Sequence, residues 1–105
     1  MDRHSKTFTT PSGEVISLYY IGYFAKQVNR TTDCIRLWER TKIIPETPFR
    51  DKFGRRMYSQ AQIDVVNKFL NKYNIRRGMN ISSTYFSKNV FNNWNKLKLR
   101  YLGKG

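Results

Sequence analysis

Two prolines, Pro45 and Pro48, stand between Ile43 and Phe49, and no helix runs through that stretch. Proline offers no N–H to the helix ladder, and its ring collides with the preceding turn. The break sorts its surroundings. Before it, Thr31 is a good N-cap and Asp33 suits the positive end of a helix. Ile35 and Trp38, flanked by Cys34 and Leu37, make an apolar side, and Thr32, Asp33, Arg36 and Arg40 lie toward the other. The spacing predicts a short helix from Thr31 to about Arg40. After the break, Asp51-Lys52-Phe53-Gly54 places Asp first and Gly last in a four-residue turn. Phe49 to Tyr58 therefore reads as a hairpin, with Lys52, Arg55 and Arg56 near its tip and second strand.

The flanking segments are equally local in their signals. Lys6 to Thr10 and Glu14 to Tyr19 read as two strands around a Pro11-Ser12-Gly13 turn. Ile21, Phe24, Ala25 and Val28 fall at i, i+3, i+4 and i+7, one face of a short helix over about 20–28. Ser59-Gln60-Ala61-Gln62 is a capping box, and Ile63, Val66, Phe69, Leu70 and Tyr73 share a face of the helix it opens. Ser82 or Ser83 can cap a last helix reaching Leu99 or beyond, with a stripe of Phe86, Val90, Trp94, Leu97 and Tyr101. That stripe either packs on the Ile63–Tyr73 helix to complete the core or forms a self-association surface. Met1 to Ser5 reads as a frayed end.

Charge decides the partner class. The chain carries 20 Lys+Arg against 7 Asp+Glu, a net charge of +13 in 105 residues. The last acid is Asp64, and nine bases with no acid occupy the final 41 residues. A second basic group comprises Arg36, Arg40, Lys42, Arg50, Lys52, Arg55 and Arg56. Such clustering points to a polyanion, nucleic acid first.

Two short helices joined by a tight break form a helix-turn-helix candidate, and a basic hairpin after the second makes it a winged one. Tyr20-Ile21-Gly22, Phe24-Ala25-Lys26, Thr31, Ile35-Arg36-Leu37-Trp38-Glu39-Arg40, Ile43-Ile44-Pro45, Arg56-Met57-Tyr58 and Ile63 occur in that order. Over about residues 19–70 the chain resembles the DNA-binding domain of the MerR family, in its short excisionase-like, phage-encoded form. The resemblance implies a second helix in the major groove and a wing on the neighbouring backbone. It implies a DNA-binding set of Thr31, Thr32, Asp33, Arg36, Arg40, Lys42, Arg50, Lys52, Arg55, Arg56 and Tyr58, the last meeting a phosphate through its hydroxyl. Two glycines usual in the family are Asn29 and Lys42 here. Asn tolerates a left-handed backbone, whereas Lys42 leaves the helix stop to Pro45. The chain has no long coiled coil or effector domain, so no small-molecule effector is expected.

Competing roles remain at several positions. Trp38 is a core residue or a stacking residue; Arg36 is a base contact or an ion pair with Asp33 or Glu39. Tyr58 is a phosphate ligand or a packing residue. Cys34 has no partner for an internal disulfide and none that makes it a nucleophile. One Cys and one His (His4) build no metal site, so neither metal nor cofactor is expected. The seven carboxylates are scattered, and the chain reads as a non-enzyme.

The expectation is a mainly α fold with small β hairpins. A winged helix-turn-helix occupies 19–73, preceded by a tail and hairpin over 1–18 and followed by a basic connector and amphipathic helix over 74–105. The expected function is sequence-specific binding of double-stranded DNA, as a transcription regulator or excisionase-like architectural factor. The alternatives are a recognition subunit of a phage packaging or recombination machine, and a basic module docking an acidic host protein. A homodimer or cooperative array through the C-terminal helix fits either. With no polar-to-apolar leader pattern and no apolar run near ~18 residues, no membrane is expected. The expected location is the cytoplasm, nucleoid-associated, in a bacterial host if phage-encoded.

Overall fold

The computed structural model describes residues 5–78, 81 and 84–103. The tail through His4 and the Ser82 or Ser83 cap lie outside them. Eight elements follow in order: β1 (Lys6–Thr9), β2 (Val15–Tyr20), α1 (Ile21–Gln27), α2 (Thr32–Arg40), β3 (Phe49–Arg50), β4 (Arg56–Ser59), α3 (Gln60–Lys72) and α4 (Thr84–Leu102).

Both hairpins form where the turn residues place them. In the first, Gly13 takes φ 94° and Thr10 N donates to Glu14 O at 2.7 Å. In the second, Gly54 takes φ 82° and its N–H donates to Asp51 O at 3.0 Å. The expected fold class needs correction, however. The hairpins are not separate appendages on a mainly α body. β2 pairs with β4, in the register Leu18↔Ser59, Tyr19↔Tyr58 and Tyr20↔Met57. The result is one curled antiparallel sheet of order β1-β2-β4-β3, and a mixed fold of 17% strand and 50% helix. The physical reason is that β2 has two edges. One is filled by β1, and an unfilled second edge would leave a row of backbone N–H and C=O groups without partners.

Specific contacts close several of the described helix ends, although Tyr20 gives α1 no side-chain cap. Thr31 Oγ1 accepts from Cys34 N at 3.1 Å, and Ser59 and Gln62 form the reciprocal box at 3.1 and 2.8 Å. Asn29, Lys42 and Asn74, at φ 56°, 65° and 53°, each follow a helix in the left-handed region. Behind each, the next residue's N–H reaches back: Arg30 to Ala25, Ile43 to Trp38 and Ile75 to Leu70, all within 2.8–2.9 Å. These are Schellman closures. The α2 stop thus belongs to Lys42 itself and not to Pro45 three residues later. A side chain there costs more than glycine, so Lys42→Gly should raise stability by about 0.5–1 kcal/mol after glycine's entropy is subtracted. Urea denaturation measures it, and a loss would mean that the Lys42 side chain contributes to the fold.

Two apolar clusters hold the layers together. The larger gathers Phe24, Ile35, Trp38, Tyr58, Ile63, Val66, Phe86, Val90 and Trp94, among others. The smaller joins Leu18, Phe49 and Met57 to Tyr101. Met57 and Tyr58 are neighbours on β4 and enter different clusters, because successive strand residues point to opposite faces. α4 serves both clusters: Trp94 lies in the first, Tyr101 in the second, and Leu97 packs against each. Its apolar stripe is therefore buried within the chain, so any self-association through α4 has to use its other faces.

Candidate nucleic-acid interface

α2 presents one side to solvent. Asp33, Arg36, Leu37 and Arg40 are exposed, whereas Ile35, Trp38 and Glu39 are buried. The exposed set has the i, i+3, i+4, i+7 spacing of a single helix face. Arg36 Nη1 lies 3.3 Å from Asp33 Oδ1 and 3.4 Å from Thr32 Oγ1. With 52% and 94% of those two charged side chains exposed, the pair is worth about 0–1 kcal/mol and exchanges readily for another partner. Thr31, in contrast, commits its hydroxyl to the cap. Beyond the end of α2, Arg36, Arg40, Lys42 and Arg56 converge on a cleft of about 410 Å³ together with Glu39 and Glu46.

The β3–β4 turn forms a second basic region. Lys52 and Arg55 are exposed, and Arg50 donates from Nη1 to Gly54 O at 2.9 Å. They border a cleft of about 340 Å³ with Lys6, Phe8, Tyr20 and Phe53. Asp51 organises this tip. Its Oδ1 accepts the N–H groups of Phe53 and Arg55, each at 2.9 Å. Its Oδ2 accepts Arg55 Nε at 2.9 Å and the Tyr20 hydroxyl at 2.8 Å. Enclosure pushes the carboxyl upward in pKa, but hydrogen bonds from the Arg55 and Phe53 backbone, Tyr20 and the Arg55 side chain outweigh it and hold it far below the usual carboxylate range.

Two expected contacts are reassigned. Tyr58 is fully buried and donates to Glu39 Oε2 at 3.0 Å, so its hydroxyl is out of reach of a phosphate. Burial raises its pKa, as does the adjacent Glu39 charge. Arg56 Nε sits 2.7 Å from Glu39 Oε1, although its N–H is not aligned with that oxygen, so the contact is ionic more than hydrogen-bonded. Burial likewise raises the Glu39 pKa, opposed by Tyr58 and Arg56. Arg50 and Arg56 face each other across β3 and β4, a like-charge pairing that Glu39 moderates. Arg56 is thus a structural residue that also borders the cleft.

The sequence reading missed Glu39 as a buried anion and Lys6 and Tyr20 as neighbours of the turn. The signal for Phe53 was present: an aromatic between Lys52 and Gly54, where nothing local could bury it. Trp38 belongs to the core at 5% exposure, with the Arg30 guanidinium 6.0 Å from its ring. Burial raises the pKa of Cys34, which opposes formation of a reactive thiolate. Among the described residues no group of three or more His, Cys, Asp or Glu could hold a metal ion, and no helix is long and apolar enough to cross a membrane. Comparison with protein-family models, curated proteins and solved structures returned no match.

Proposed function

We propose that this protein binds double-stranded DNA, with the exposed side of α2 in the major groove and the β3–β4 turn on the flanking backbone. The observation that carries the reading is the stripe of Asp33, Arg36, Leu37 and Arg40, continued by Lys42 and Arg56 around one cleft. A helix about 10–12 Å across with its side chains fits the major groove, about 12 Å wide. Arg36 and Arg40 can address guanine or phosphate, and Asp33 can accept from a cytosine amino group while disfavouring phosphate beside it. Lys42, Arg50, Lys52 and Arg55 neutralise backbone. The resemblance to the MerR DNA-binding domain supports the same arrangement, with a role as transcription regulator or excisionase-like factor.

Selection from random duplexes is the test. Arg36→Ala should relax preference at one step by about 1–3 kcal/mol, the value of a bidentate pair. Lys52→Ala should instead weaken every sequence alike and lower the salt slope by about one. Unaltered selectivity in Arg36→Ala removes Arg36 from the reading head. Negligible duplex affinity at low salt, with tight binding to an acidic protein, would replace the DNA reading by a protein-docking one.

A further inference from the structure

At 70% exposure, Phe53 is the most exposed of the large hydrophobic residues described, and it sits at the tip of the basic β3–β4 turn. Exposed aromatics are common on mobile loops, but this tip is braced. Asp51 fixes both sides of it, through the Phe53 and Arg55 N–H groups and the Arg55 guanidinium. The Tyr20 hydroxyl anchors the same carboxylate to β2, so the brace extends from the tip into the sheet.

The charges beside the ring are also placed. The Lys52 ammonium lies 5.3 Å from the Phe53 centroid and the Arg55 guanidinium 5.3 Å from it. Arg55 is at the same time 5.1 Å from the Tyr20 ring. Two cations thus lie beside one exposed apolar ring, and Arg50 and Lys6 line the same cleft. Phosphates lie on both sides of any base step, so a ring entering that step carries the flanking cations toward them.

On the reading that the protein binds duplex DNA, we infer that Phe53 is a wedge: it enters between adjacent base pairs from the minor groove and bends the duplex held by α2. Rigidity is what makes the role physical. Unstacking a step costs free energy, and a tip that had to order itself as well would lose most of the gain. Because the ring has no hydrogen-bonding group, it selects deformable pyrimidine–purine steps over particular bases. Specificity then divides: α2 reads base edges, and the turn reads flexibility.

End-to-end energy transfer across a short labelled duplex containing a central TA step tests this with the full chain. The wild-type protein should shorten the end-to-end distance, corresponding to a bend of roughly 20–90°. Phe53→Ser should still bind, weakened by roughly 5- to 150-fold, the order of one lost base stack, and leave the duplex straight. Its urea midpoint should match wild type, because the ring is exposed. Phe53→Trp should bend the duplex and lose indole emission on binding, against a background from Trp38 and Trp94, which are buried. A wild-type complex with straight DNA, or a Phe53→Ser complex bent like wild type, overturns the wedge and leaves DNA binding intact. No duplex binding at low salt overturns both.

Discussion

Trp94→Ala should lower the unfolding free energy by about 3–5 kcal/mol, the range for truncating a large buried aromatic. Trp94 is 4% exposed, and its ring meets Phe24 of α1 at 6.3 Å and Tyr58 of β4 at 6.2 Å. Its Nε1–H donates to the Gln62 backbone carbonyl of α3 at 3.0 Å. One side chain therefore ties α4 to three other elements. Its removal leaves a void and costs a buried hydrogen bond. For a domain of this size, 1 kcal/mol corresponds to roughly 4–8 °C in Tm, so the loss should exceed about 10 °C. Urea and thermal denaturation measure it. A Trp94→Ala variant as stable as wild type would mean that α4 contributes no core, contrary to its packing.

Glu39→Ala should be the next most damaging change, on the order of 3 kcal/mol. Glu39 is 2% exposed and accepts from the Tyr58 hydroxyl while facing Arg56. Without it, a fully buried phenol has no acceptor, and Arg50 and Arg56 face each other unmoderated. Glu39→Gln keeps an acceptor for Tyr58 and loses only the charge, so it should cost less. The pH dependence has a definite sign. Burial raises the Glu39 pKa above its ordinary value of 4.5, so the folded state holds that proton more tightly than the unfolded chain. Its contribution to stability is present in full below 4.5 and is lost as pH rises through the raised folded value. Asp51 works the other way: its contribution is present above 3.8 and is lost as pH falls below that. Between neutrality and pH 4.5, wild type should gain stability relative to Glu39→Gln on acidification. Parallel curves would remove Glu39 as the source.

Neither change touches the exposed side of α2. Comparing them with Arg36→Ala therefore separates loss of fold from loss of recognition. A Glu39 variant binding DNA normally at a temperature where it remains folded would place Glu39 wholly in the scaffold.

Much of the local structure was legible. Thr31 and the Ser59–Gln62 box start their helices as their side chains predict, because a cap is a contact within three residues. The Asp51–Gly54 and Pro11–Gly13 turns formed for the same reason. The 3.6-residue period separated Arg36 and Arg40 from Ile35 and Trp38, but Leu37, read with the apolar side, is exposed, and Glu39 is buried. Lys42 was misjudged because a left-handed lysine has no propensity signal; the Ile43 N–H to Trp38 O closure and the burial of Ile44 beyond it hold it there. The role of Tyr58 stayed open because a tyrosine beside basic residues has the same sequence pattern whether its hydroxyl meets a phosphate or a buried carboxylate; the structure makes it the packing residue.

The sequence by itself determined the helices, the turns, the basic character and the polar side of α2, all set by residues within one or two turns of one another. Only the tertiary structure decided that β2 joins β4 into one sheet, that Glu39 is enclosed between Tyr58 and Arg56, and that Phe53 is left at a braced, basic tip. Those outcomes depend on contacts between residues far apart in the chain, such as Tyr20 with Asp51 and Glu39 with Tyr58, separated by 31 and 19 positions. Periodicity and capping have a range of about four residues, whereas strand pairing and charge burial are set by whichever distant groups satisfy an open backbone edge or a buried carboxylate.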